Sequence, residues 1–153
     1  MGEESKAACG SDKLAGGAEV GIEGAIHSIR LLWEQHSQEE EWGFLLIDAH
    51  NAFNEENQTA MLWAVRHEWP GGAQFTFNCY RHWATLVVRD TAGGSGHFLH
   101  IKEGVTQGGG LAMIAYGIGV LPLIRDLRRS HPRVNQPWYS DDVGAGGYRE
   151  SCT

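Results

Sequence analysis

Cysteine, proline and cationic side chains are all scarce in this chain of 153 residues, and long apolar runs are absent. The cysteines, Cys9, Cys79 and Cys152, are odd in number and far apart. That spacing fits neither a zinc site nor a disulfide framework, and a reducing, intracellular setting is the expectation. Lys and Arg number 12 against 19 Asp and Glu, for a formal charge of −7. Such a balance is a poor footprint for a protein that grips nucleic acid unaided, because phosphate binding draws on cations. No apolar run approaches the roughly 20 residues of a bilayer span, and the acidic start Met1–Lys6 has no apolar stretch like that of a signal peptide. No membrane partner is expected. The glycines of Val143–Gly147 lack the Lys-Ser/Thr of a phosphate loop. The eight histidines form no ligand pattern, and His97 and His100 on a strand point to opposite faces.

What the chain does have is 42% apolar residues and six tryptophans, enough for one domain with a real core. Ala7–Ala18 is small, polar and Gly-rich, so residues 1–20 read as a poorly ordered lead-in to a folded domain over 21–150. Ile22, Ala25, Ile26, Ile29, Leu32 and Trp33 recur at helical spacing and predict a helix with one apolar stripe. Gly43–Ile47 reads as a buried strand ending in Asp48. Asn54 is placed to cap a helix carrying Met61, Leu62 and Val65 inward and stopping at Trp69-Pro70. A second helix is expected from about Gln74 to Trp83. Ala84–Arg89 and His97–Lys102 read as a hairpin, and Leu111–Leu121 as a helix that Pro122 should bend or loosen. Arg133–Tyr139 is strand-like, and a last pair of strands flanks Asp141-Asp142. The fold class is α+β, with an antiparallel sheet and helices on one face. Trp63, Trp69, Trp83 and Trp138 could stack bases, with packing the favoured role, and Lys102 and Arg125–Arg129 could touch phosphates, with a solvated helix end an equal reading.

The acids carry the chemistry. Asp48 closes an apolar strand at the rim of a sheet, and Asp141-Asp142 sit at the tip of another strand pair. If those strands are neighbours, carboxylates distant in sequence converge where a hard divalent ion takes oxygen ligands. The same residues also suit a helix cap and a solvated turn, and spacing alone leaves both readings open.

Three segments stand in order: Asp48-Ala-His-Asn-Ala52-Phe53, Gly104-Val-Thr-Gln107-Gly108 and Tyr139-Ser140-Asp141-Asp142. They resemble motifs A, B and C of reverse transcriptases, above all those of non-LTR retrotransposons, over about residues 21–147. The resemblance implies the palm of a right-hand polymerase and templated DNA synthesis from deoxynucleoside triphosphates. It makes Asp48, Asp141 and Asp142 the catalytic, metal-holding acids, with Mg²⁺ as cofactor and Mn²⁺ as its substitute. Ala49 would lend a backbone carbonyl on the nucleotide side, Phe53 would be the steric gate against a ribose 2′-hydroxyl, and Gln107 and Gly108 would line the nucleotide and template pocket. The implied partners are an RNA or DNA template with its primer, a dNTP, and the fingers and thumb regions of a parent polyprotein. Basic fingers and a thumb are not recognisable in 1–153, so the expectation is a partial domain that is inactive in isolation. Gly109-Gly110 replace a pair such as Asp-Pro and are expected to loosen the loop and the start of the next helix. Two rivals stand beside this reading. An RNA-templated RNA polymerase is disfavoured by Phe53, where a small or polar residue would be expected. A decayed or domesticated palm would keep the fold and only bind nucleic acid or protein.

Overall fold

A computed structural model describes residues 2–9, 21–89 and 96–149. In chain order these form α1 (Gly2–Cys9), α2 (Gly21–His36), β1 (Trp42–Asp48), α3 (Ala52–Glu55), α4 (Gln58–Glu68), α5 (Pro70–Tyr80), β2 (Ala84–Val88), β3 (His97–Ile101), α6 (Ala112–Gly119), α7 (Leu121–Ser130), β4 (Trp138–Tyr139) and β5 (Asp142–Tyr148). The strands make a three-stranded sheet, β1-β5-β4, and a separate pair, β2-β3, both antiparallel. The architecture is α+β. Among the described residues no helix is long and apolar enough to cross a membrane.

The core lies between α4, α6 and α7, where Met61, Val65, Ile118, Leu121 and Ile124 are fully buried. Each such side chain contributes about 1.5–3 kcal/mol by leaving water. Residues 2–9, expected to be poorly ordered, form α1 instead. Its Ser5 and Cys9 are buried and it packs against α6, which gives this short helix a reason to form. Residues 10–20, the rest of the expected lead-in, lie outside the described residues, as do 90–95 at the tip of the β2–β3 pair.

Several boundaries differ from the sequence expectation for local reasons. The expected cap Asn54 sits inside α3, and α4 is capped by Asn57, whose side chain accepts from the Ala60 N–H at 2.9 Å. Trp69 separates α4 from α5, and Pro70 opens α5 at once rather than leaving a gap to Gln74. Proline suits a first helical turn, where its missing N–H leaves no bond unmade. The same rule acts at Pro122, which starts α7 and so splits one expected helix into two around Val120.

The strand expected to be buried, β1, is an edge strand, and its Leu45, Leu46 and Ile47 are exposed. It faces a neighbour of small residues. Gly147, Gly146, Ala145 and Gly144 pair with Gly43, Phe44, Leu45 and Leu46, and supply little bulk to cover them. The glycines are there because rings lie across them. A Cβ at Gly146 would stand 2.7 Å from the Trp42 ring, and one at Gly144 2.8 Å from the Phe44 ring. The expected α2 stripe is covered only in part: Ala25 is buried and Ile29 and Leu32 are half-buried, while Ile22, Ile26 and Trp33 are exposed.

Candidate functional site

At the end of the β1–β5 ladder Asp48 stands directly opposite Asp142. Opposed side chains on antiparallel strands lie about 4.5–5.5 Å apart at Cβ, and like charges there repel. Asp141 occupies the two-residue turn that joins β4 to β5, and its carbonyl accepts from the Ala49 N–H at 3.3 Å. The three acids therefore share one end of one sheet, on adjacent strands. The register pairs Asp48 with Asp142 rather than with Asp141. Ser140, first in that turn, holds φ at 50°, a conformation that two-residue hairpins require and that side chains rarely adopt. Asn51, just after Asp48, is likewise left-handed at φ 55°. Both non-glycine residues with positive φ among the described residues thus flank the acids.

The chain leaves β1 through Ala49 and enters α3, which brings Phe53 back against α6. Its ring lies 4.6 Å from that of Tyr116, centroid to centroid. Phe53 is half-buried at the margin of the core, as a packing ring and a pocket floor both require. Its carbonyl accepts from Val105 N–H at 2.6 Å, and the Glu56 carbonyl accepts from Gly104 N–H at 2.7 Å. The loop 102–110 is in this way sewn to the segment after Asp48. Gln58 adds a third stitch, donating from Nε2 to the Gly104 carbonyl at 2.8 Å.

Gly104 has φ 82°, and a Cβ there would collide with the Asn54 backbone. Gly104→Ala is expected to cost about 2 kcal/mol or more, since left-handed strain alone is about 1–2 kcal/mol for a residue with a Cβ. Chemical denaturation measures it, and an unchanged midpoint would show the loop to be loosely held. Beyond Gly104 the loop turns again at Thr106–Gly109, closed by Gly109 N–H donating to Thr106 at 3.0 Å, with Gly108 in third position at φ 79°. Gln107 and Gly108 are exposed there. The glycine pair is followed by a helix whose first residue, Ala112, has no side-chain cap before it.

Two residues beside the acids had no signal in the sequence. Tyr116 is buried under Phe53, and its phenol is pushed up to about 12 by burial, then by the negative charges of Glu56 and Asp141. The Glu56 carboxylate packs over Gly119, one turn further along α6. Glu56 sits in no motif, and Tyr116 is off the face formed by Leu111, Ile114, Ala115, Ile118 and Leu121 at helical spacing; only the fold brings them in. The raised phenol has a consequence in alkali. Below pH 10 Tyr116 is neutral in folded and unfolded chains alike, and its contribution to stability is fully present. Between 10 and about 12 the unfolded chain releases the proton first, so stability falls as pH rises. Denaturation curves at pH 9 and pH 11 are expected to lie further apart for the parent than for Tyr116→Phe. Equal separation would show that the phenol titrates as in water.

The donor set at the ladder end is carboxylate and backbone oxygen, the choice of a hard divalent ion. Among the described residues no three His, Cys, Asp or Glu side chains form a ready-made metal cage. Magnesium needs none, since it binds through one or two carboxylates together with substrate phosphates. Of the residues singled out from sequence, Asp48, Ala49, Asp141 and Asp142 come together at the ladder end, and Phe53 lies against Tyr116, whose phenol feels the Asp141 charge. Gln107 and Gly108 belong to the loop fastened behind Phe53. No protein-family model matches this chain, and no curated protein matches it either.

Proposed function

We propose that this chain is the palm core of an RNA-directed DNA polymerase, holding Mg²⁺ on Asp48 and Asp141 with Asp142 beside the primer end. The observation that carries the reading is the position of the segment 48–56. It is bonded on one side to the Asp141 turn, through Ala49, and on the other to the 104–105 loop, through Phe53 and Glu56. These bonds link three segments spread over about 95 residues of sequence, which supports the reading. When bound, the metal supplies charge neutralisation for the transferred phosphoryl group. The chain's own residues position. Asp48 and Asp142 face one another across the ladder, Asp141 is held by the turn, and Phe53 rests on Tyr116 as a wall beside the acids. Gly108 lets the backbone come close to a base pair, as no side chain would intervene.

The test is primer extension with dNTPs and Mg²⁺, by this chain alone and by the chain joined to the segments flanking it in its reading frame. The chain alone is expected to give little or no product, because positioning of primer and template falls to fingers and thumb. The joined protein is expected to extend. A decayed palm is the second reading, and the exposed Gly109-Gly110 before an uncapped helix favours it. Inactivity of the joined protein, with the fold intact, would select that reading.

A further inference from the structure

Trp83 and Lys102 flank the β2–β3 pair, immediately before Ala84 and after Ile101. The packing expected of Trp63 and Trp83 does not hold: each residue is 59% exposed, whereas Trp69 and Trp138 are buried. The Lys102 ammonium sits 4.3 Å from the centre of the Trp83 ring, and Arg81 lies over the Phe77 ring at 5.9 Å. These two cation–aromatic pairs line a cleft of about 460 Å³. Its opposite wall is the start of α4, with Asn57, Gln58 and Thr59, and the first turn of that helix carries no acid. Among the described residues neither Arg81 nor Lys102 forms an ion pair. Glu103 is the one acid on the cleft, so this spot is cationic on a chain whose total charge is −7.

We infer that this cleft binds a single nucleic-acid strand, with a base on Trp83 and neighbouring phosphates on Lys102 and Arg81. Exposed aromatic rings interleaved with cations are what sequence-tolerant strand binding uses: the ring takes any base face and the cations follow the backbone. An isolated anion would need the cations but not the exposed indole. The cleft also adjoins the loop that carries Gln107 and Gly108, through Lys102 and through the Gln58 bond to Gly104. A strand seated here is thereby led toward the acids. The inference extends the polymerase reading to a second site, and its test needs neither metal nor synthesis.

The test is fluorescence anisotropy of labelled dT20 and rU20 with the full chain, at low salt and in EDTA. Trp83→Ala is expected to weaken binding roughly tenfold, the order of one lost stacking contact, and Trp83→Phe to restore most of it. Lys102→Gln is expected to lower the slope of log Kd against log salt by about 0.7, one released counterion on a single strand. Both positions are solvent-facing, and circular dichroism checks that the fold is kept. The DNA and RNA arms show which strand is preferred; a preference for RNA assigns a further contact to the ribose 2′-hydroxyl. No binding by the parent chain overturns the inference, as does a Trp83→Ala chain that binds like the parent, or tighter binding of a duplex than of either strand. None of those results touches the acids, whose role is decided by primer extension.

Discussion

Asp141→Asn is expected to lower template-dependent primer extension by the joined protein about 10²–10³-fold, the usual effect of losing one preorganised electrostatic group at a reacting centre. The same change is expected to leave the melting temperature level or slightly higher. Asparagine has the shape of aspartate, and the bond that fixes the turn, Ala49 N–H to the Asp141 carbonyl, belongs to the backbone. Meanwhile one of three negative charges leaves a ladder end where Asp48 and Asp142 already oppose each other. A drop in activity without a drop in stability marks a carboxylate kept for work rather than for folding. A solvated turn acid would lose neither, and unchanged extension would remove Asp141 from the chemistry.

Phe53→Val is expected to raise incorporation of ribonucleotides relative to deoxyribonucleotides by roughly 10–100-fold, the scale on which a pocket's shape discriminates small groups. The ring rests on Tyr116, buried and immobilised in α6, so it has a firm backing against which to exclude a 2′-hydroxyl. The substitution also removes part of a half-buried aromatic, and a loss of about 1–2 kcal/mol is expected, less than the about 3–5 kcal/mol of a fully buried phenylalanine cut back to alanine. Extension assays with mixed nucleotide pools read the first effect, and urea denaturation the second. Lost stability with unchanged sugar choice would make Phe53 a packing residue alone.

Helix periodicity and the apolar run before Asp48 made most elements legible in the sequence, whereas the pairing of β1 with β5 was only a condition there and is supplied by the fold. What sequence patterning missed is instructive. An apolar run predicts burial only if something covers it, and the residues facing Gly43–Leu46 across the ladder are glycines and an alanine. Pro70 and Pro122 were read as breakers but serve as starters, since proline is welcome in a first turn. Trp83 read as core because tryptophan usually is; its exposure depends on where β2 leaves the body of the fold. At the candidate site, Asp48, Asp141, Asp142 and Phe53 were singled out by the motifs they share with the family they resemble. Glu56 and Tyr116 were not, because a carboxylate after a short helix and an aromatic in an apolar helix carry no local mark of the neighbours that three dimensions give them.

The β2–β3 pair sets a gradient of stability across the molecule. Every residue of both strands is solvent-exposed, including Leu86, Val87, Val88, Phe98, Leu99 and Ile101, and among the described residues neither strand has a ladder partner other than its mate. A lone pair of strands in water is marginal, so its backbone bonds open at little cost in free energy. Amides facing across this ladder would trade their hydrogens for deuterium by local opening, while those of α4 and α6 around Met61 and Ile118 would wait for the whole domain to unfold. The cleft at Trp83 and Lys102 lies at the foot of that ladder, where the chain passes from the packed helices to this readily opened pair.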